Sequence, residues 1–64
     1  MSDDPVEIRL ERARHQGRES FHAGDPRTDS PYAPHTDEHR VWLDAWDAAH
    51  DLREAIGELL RRQA

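Results

Sequence analysis

The 64 residues include no cysteine, no lysine and no asparagine. Without cysteine there is no disulfide, no thiolate metal centre and no thiol nucleophile. Without lysine there is no P-loop cation, and all permanent positive charge is arginine. A Gly-rich phosphate loop and a Gly-x-Ser-x-Gly turn are missing as well. These absences predict a protein that is not an enzyme, with no cofactor, metal or small-molecule substrate. Apolar residues are scarce, at 34%, and no apolar run is longer than Val41-Trp42-Leu43. No segment is therefore expected to span a membrane, and no membrane partner is expected. The opening residues Met1–Asp4 have neither the basic nor the apolar region of an export signal, so a cytoplasmic location is expected.

What is present is charge, unevenly placed. Nine arginines face fourteen carboxylates, for a net charge of −5, which excludes indiscriminate nucleic-acid binding by the whole surface. Arg9, Arg12, Arg14 and Arg18 nevertheless stand within ten residues beside one acid, Glu11, a local +3. Asp44, Asp47, Asp51, Glu54 and Glu58 make a later stretch acidic. A chain this short buries only about 60% of its unfolded surface. One small domain over residues 1–64 is expected, completed by self-association or by a partner.

Asp3 and Asp4 ahead of Pro5 read as a helix start. Val6, Leu10, Ala13, Gly17, Phe21 and Gly24 then recur on one helical face. Gly24 suits a C-cap and Pro26 resists continuation, which predicts a first helix over about 5–23. Pro26, Pro31 and Pro34 disfavour helix before them and predict an extended linker over about 24–36, with little to pack except Tyr32. Thr36 is the expected N-cap of a second helix over about 37–62. The class is all-α, two helices joined by an extended proline-containing linker. Folded back as an antiparallel hairpin, Leu10, Ala13, Gly17 and Phe21 would pack on Trp42, Trp46 and Ala49. The longer second helix would then leave Leu52, Ile56, Leu59 and Leu60 open for homodimerisation.

The order of landmarks carries more than any one motif. Arg9-Leu10-Glu11-Arg12-Ala13, Gly17, Ala23-Gly24, Pro31-Tyr32, Arg40, Trp42-Leu43, Trp46 and Ala49 follow one another at spacings that resemble the ribosome modulation factor family. The resemblance covers roughly residues 8–53. It implies a helix–linker–helix protein that binds the small ribosomal subunit near the 3′ end of 16S rRNA, among nearby ribosomal proteins. It further implies reduced initiation and promotion of inactive or dimeric ribosomes in stationary phase. The sequence departs from the family's pattern at Ser30, at Asp44-Ala45 and in its net negative charge.

With that resemblance, Arg9, Arg12, Arg14, Arg18, Arg27 and Arg40 become the expected phosphate contacts, because the guanidinium fork donates bidentate hydrogen bonds to phosphate. Tyr32 is the expected base-stacking residue. The bland alternative is a solvated helix face in which Glu7, Glu11 and Glu19 neutralise the arginines. A different functional class is also open: a protein-interaction module, of the phage- or plasmid-borne regulator or inhibitor type, acting through the acidic and apolar surface of the second helix. His35 and His39 are spaced like metal ligands only if both are helical, and an N-cap at Thr36 leaves His35 outside.

Overall fold

The computed structural model describes residues 5–63. It contains α1, Val6–His22, and α2, Asp37–Gln63, with a short 3-10 turn, Arg27–Asp29, in the connection. The all-α helix–linker–helix class is the observed architecture, and no strand occurs among the described residues.

Local chemistry sets each helix end. Pro5 holds the N-cap position of α1, and its carbonyl accepts the Ile8 and Arg9 N–H groups at 3.0 and 3.2 Å. The aspartate cap expected at Asp3 or Asp4 lies outside the described residues. At the other end Asp25 N–H donates to the Ser20 carbonyl at 2.9 Å and Gly24 N–H to Phe21 at 3.1 Å, with Gly24 at φ +87°. This is a Schellman termination, and its left-handed residue suits glycine. Thr36 caps α2: its hydroxyl accepts His39 N–H at 3.2 Å and donates to the Ala33 carbonyl at 2.8 Å. Asp37 and Glu38 follow in the first turn, where the helix dipole favours carboxylates.

Ala13, Gly17 and Phe21 of α1 are buried, spaced one turn apart, and so is Trp42 of α2. Leu10, Trp46 and Ala49 are half-buried around them. With no side chain at Gly17, α1 sits directly on the α2 backbone at the Trp42 carbonyl.

The order of these contacts fixes the direction of α2. Gly17 lies against Trp42 and Ala45. Four residues later Phe21 meets Trp46 edge to face, 5.3 Å between centroids, and also meets the His50 ring and the Arg53 guanidinium. His22 shares a groove with Leu52 and Ile56. Later residues of α1 thus meet later residues of α2. The helices run side by side in the same direction, and the antiparallel direction expected from the sequence is not adopted.

The chain turns back within the linker instead. The Asp25 carbonyl accepts Trp46 Nε1–H at 3.0 Å, Arg27 pairs with Asp47, and the Ser30 hydroxyl lies 3.0 Å from His39 Nδ1. Asp25 and Arg27 are tied at residues 46 and 47 of α2 and Ser30 at residue 39, so the linker runs back along α2 toward its start. The linker is therefore a strap tied to α2, whereas the sequence led us to expect a spacer with little to pack. A 27-residue helix is about 40 Å long, and the molecule extends 55 Å, as a staggered pair requires. The stagger leaves Val6 and Ile8 exposed at one end and Leu52, Ile56, Leu59 and Leu60 exposed at the other.

Candidate nucleic-acid interface

Arg9, Arg12, Arg14, Arg18, Arg27 and Arg40 are all exposed, but they are not equivalent. In α1 each residue advances 100° around the axis, and Ala13 and Gly17 mark the buried line. Arg14 and Arg18, each one residue further, fall on one flank. Arg9 and Arg12 fall with Gln16 on the other. Glu11, His15 and Glu19 occupy the outer face between them. The local +3 is consequently two basic edges rather than one patch.

On the first edge Arg14 Nη1 pairs with Glu11 at 2.8 Å, both side chains being more than half exposed. Such a pair contributes little and opens readily toward a stronger anion. Arg18 on that edge, Arg9 on the second and Arg40 on α2 have no ion pair with another described residue. On the second edge stands Tyr32. Its hydroxyl is hydrogen-bonded to Gln16 Oε1, and its N–H donates to the Ser30 hydroxyl at 3.3 Å. Gln16 follows Arg12 by four residues and Arg9 by seven, so the half-buried tyrosine is tied to the flank of α1 that carries these two arginines.

Arg27 is differently placed. Its Nε donates to Asp47 Oδ1 at 2.8 Å and its Nη2 to Oδ2 at 3.1 Å, a two-pronged fork. That hydrogen-bonded pairing holds the Asp47 carboxyl below the usual carboxylate range and raises the Arg27 guanidinium further; Asp44 adds to the latter. The cation that was expected to face phosphate thus binds the linker to α2, twenty residues away and beyond any local spacing rule. A carboxyl lowered in the folded state stabilises the fold at pH above its ordinary value of about 3.9 and loses that contribution as the pH falls through its lower folded value. Asp47→Asn is therefore expected to lower the melting temperature modestly at about pH 7, where the exposed pair is intact, and to leave it nearly unchanged in acid, so that the acid side of its profile against pH is flatter. Thermal melts of both proteins from about pH 7 down through about pH 4, at low and high salt, check this, and high salt should narrow the difference because both groups are exposed to solvent.

The sequence reading missed a ring cluster at the C-terminal end of α1. His50 stacks on Trp46 at 5.5 Å with planes 11° apart, and the Phe21 ring stands edge-on to both. The i, i+4 spacing of Trp46 and His50 was the available signal. Beside the cluster, Phe21, His22, Ala49, Leu52, Arg53 and Ile56 line an open groove of about 310 Å³. His39 is hydrogen-bonded to Ser30, and no group of three or more candidate ligands is placed to hold a metal ion among the described residues. No described helix is long and apolar enough to cross a membrane.

Comparison with known proteins gives one positive finding. A family model described as ribosome modulation factor matches residues 3–55. No curated protein and no solved structure matches the chain.

Proposed function

From the premise that the chain belongs to the ribosome modulation factor family, we propose that it docks on the small ribosomal subunit near the 3′ end of 16S rRNA and favours inactive or dimeric ribosomes. Membership itself makes it a ribosome-associated modulator of translation, of the kind tied to ribosome hibernation, and hence a protein that works in the cytoplasm. The family is not one of known enzymes, and no catalytic step is assigned.

The observation that carries the reading is the extent of the match. Residues 3–55 include every candidate contact: Arg9, Arg12, Arg14, Arg18, Arg27, Tyr32 and Arg40. The net charge of −5 then acts as an orientation device. The acidic side of α2, with Asp44, Asp51, Glu54 and Glu58, is repelled by phosphate, so that the α1 edges are the surfaces that meet rRNA. Arg14 exchanges Glu11 for a phosphate, and Tyr32 supplies a ring on the flank that carries Arg9 and Arg12. Arg27 stays with Asp47 and contributes by keeping the strap, and with it Tyr32, in place.

Sucrose-gradient co-sedimentation with 30S subunits and whole ribosomes tests this. The wild type is expected to migrate with 30S or with ribosome dimers, and its affinity to fall steeply with salt. Arg14→Ala/Arg18→Ala and Arg9→Ala/Arg12→Ala, taken separately, identify which edge is used. Loss of two phosphate contacts should make the log–log salt slope shallower by about 1.4–1.8 and weaken binding about tenfold or more. Failure of the wild type to migrate with either species would defeat the proposal. Binding that is insensitive to salt would favour the interaction-module reading, in which the apolar and acidic surface of α2 meets a protein.

A further inference from the structure

The family match ends at residue 55, whereas α2 continues unbroken to Gln63. Around and beyond that limit the helix leaves large apolar side chains open: Leu52 is 62% exposed, Ile56 48%, Leu59 56% and Leu60 63%. At 100° per residue, Ala48, Leu52, Ala55, Ile56, Leu59 and Leu60 share a face about 140° wide, while Asp51, Glu54 and Glu58 fall outside it. An apolar stripe of that width normally faces a core.

Charge narrows the choice of what covers it. Over residues 48–63, Asp51, Glu54 and Glu58 balance Arg53, Arg61 and Arg62, so this segment is neutral although the chain carries −5. Neither an rRNA phosphate nor a strongly basic protein gains net attraction here. Two copies of the chain, which repel elsewhere, can meet here without that penalty.

We propose that this face pairs with a second copy of the chain, α2 against α2, antiparallel about a two-fold axis at Ile56. The molecule carries both halves of such a joint. The groove lined by Phe21, His22, Ala49, Leu52, Arg53 and Ile56 is the hole, and Leu59 and Leu60, just beyond it, are the knobs. Leu52 and Leu60 are each four residues from Ile56. An axis there sets Leu60 of either copy against Leu52 of the other and brings Leu59 and Leu60 to the opposite groove. The same contact is then made twice, as an isologous interface demands. The seam continues one already in use, since Trp42, Ala45 and Ala49 carry the same 3–4 spacing beneath or beside α1. This pairing does not rest on the ribosomal reading and is measured without ribosomes.

Because the chain has no cysteine, one introduced thiol reports one position. Two copies of residue 56 meet at the axis. Two copies of residue 52 lie about 12 Å apart along it, beyond the roughly 7 Å Cα separation that a disulfide spans. Under mild oxidation Ile56→Cys is expected to form a covalent dimer and Leu52→Cys to remain largely monomeric. The unmodified full chain should sediment increasingly as a dimer from low to high micromolar concentration. Ile56→Glu, which sets two carboxylates face to face, should abolish that increase with its helical circular dichroism unchanged. A wild type that stays monomeric at high micromolar concentration, equal cross-linking at the two positions, or a dimer untouched by Ile56→Glu would each overturn the proposal.

Discussion

Trp42→Ala is expected to remove the cooperative thermal transition, whereas Trp42→Phe should keep it. Trp42 is 0% exposed and is the largest fully buried side chain of the described molecule. Truncating a buried aromatic to alanine costs about 3–5 kcal/mol. In a chain of this length a single core rarely supplies more than about 3–5 kcal/mol, so little or nothing remains. Phenylalanine acts differently because of the indole nitrogen, which is enclosed without a hydrogen-bond partner among the described residues. An unpaired buried donor costs about 1–3 kcal/mol, and its removal offsets much of the packing lost with the smaller ring. Trp46 is the contrasting case. It is less buried, but its N–H donates to the Asp25 carbonyl and ties the linker to α2. Trp46→Phe breaks that tie, so the less buried tryptophan is expected to be the costlier of the two to replace by phenylalanine. Circular dichroism melts of the three variants measure the order. If Trp42→Phe unfolds the chain as thoroughly as Trp42→Ala, the unpaired N–H is not the weak point described.

The parts of this structure that were legible in the sequence are those written in local spacing. Thr36 reads as an N-cap because a hydroxyl three residues before an amide is all the cap needs, and His39 N–H uses it. Gly24 reads as a stop because it alone in that stretch adopts positive φ without cost. The line Ala13, Gly17, Phe21 and the stripe leading to Leu60 follow from the helical period. What escaped was whatever depends on bonds between distant positions. The linker joins α2 through a backbone carbonyl at Asp25, a guanidinium fork at Arg27 and a hydroxyl at Ser30, reaching residues 9 to 21 further on. No periodicity marks these, and a proline-rich stretch gives no apolar hint that it packs. The direction of α2 was lost with them: a dozen residues can lay α2 either way along α1, and the polar ties of the linker, together with the order of contacts from Gly17 to Phe21, select the one observed. The same ties pair Arg27 with Asp47, while the helical period divides the α1 arginines between two flanks.

One substitution made at two glycines should move stability in opposite directions, and the difference reads the helix contact directly. At Gly17 an added Cβ would overlap the Trp42 carbonyl oxygen and lie 3.1 Å from Ala45 Cβ. That oxygen belongs to the backbone of α2 and cannot turn aside as a side chain would. The helices must separate, and Trp42, packed at the same level, loses contacts as they do. Overpacking of this kind costs about 1–3 kcal/mol, occasionally more, against the roughly 1 kcal/mol that alanine gains over glycine inside a helix. A small domain loses about 4–8 °C of melting temperature per kcal/mol, so Gly17→Ala should melt several to more than ten degrees lower. At Gly57 nothing lies within 4 Å of the added atom. Only helix propensity operates there, and Gly57→Ala should melt about 4–8 °C higher. If both variants melt higher, α1 does not rest on the Trp42 carbonyl. In that case Tyr32 and the Arg9/Arg12 edge, which α1 positions through Gln16, would lose the scaffold on which the ribosomal interface is built.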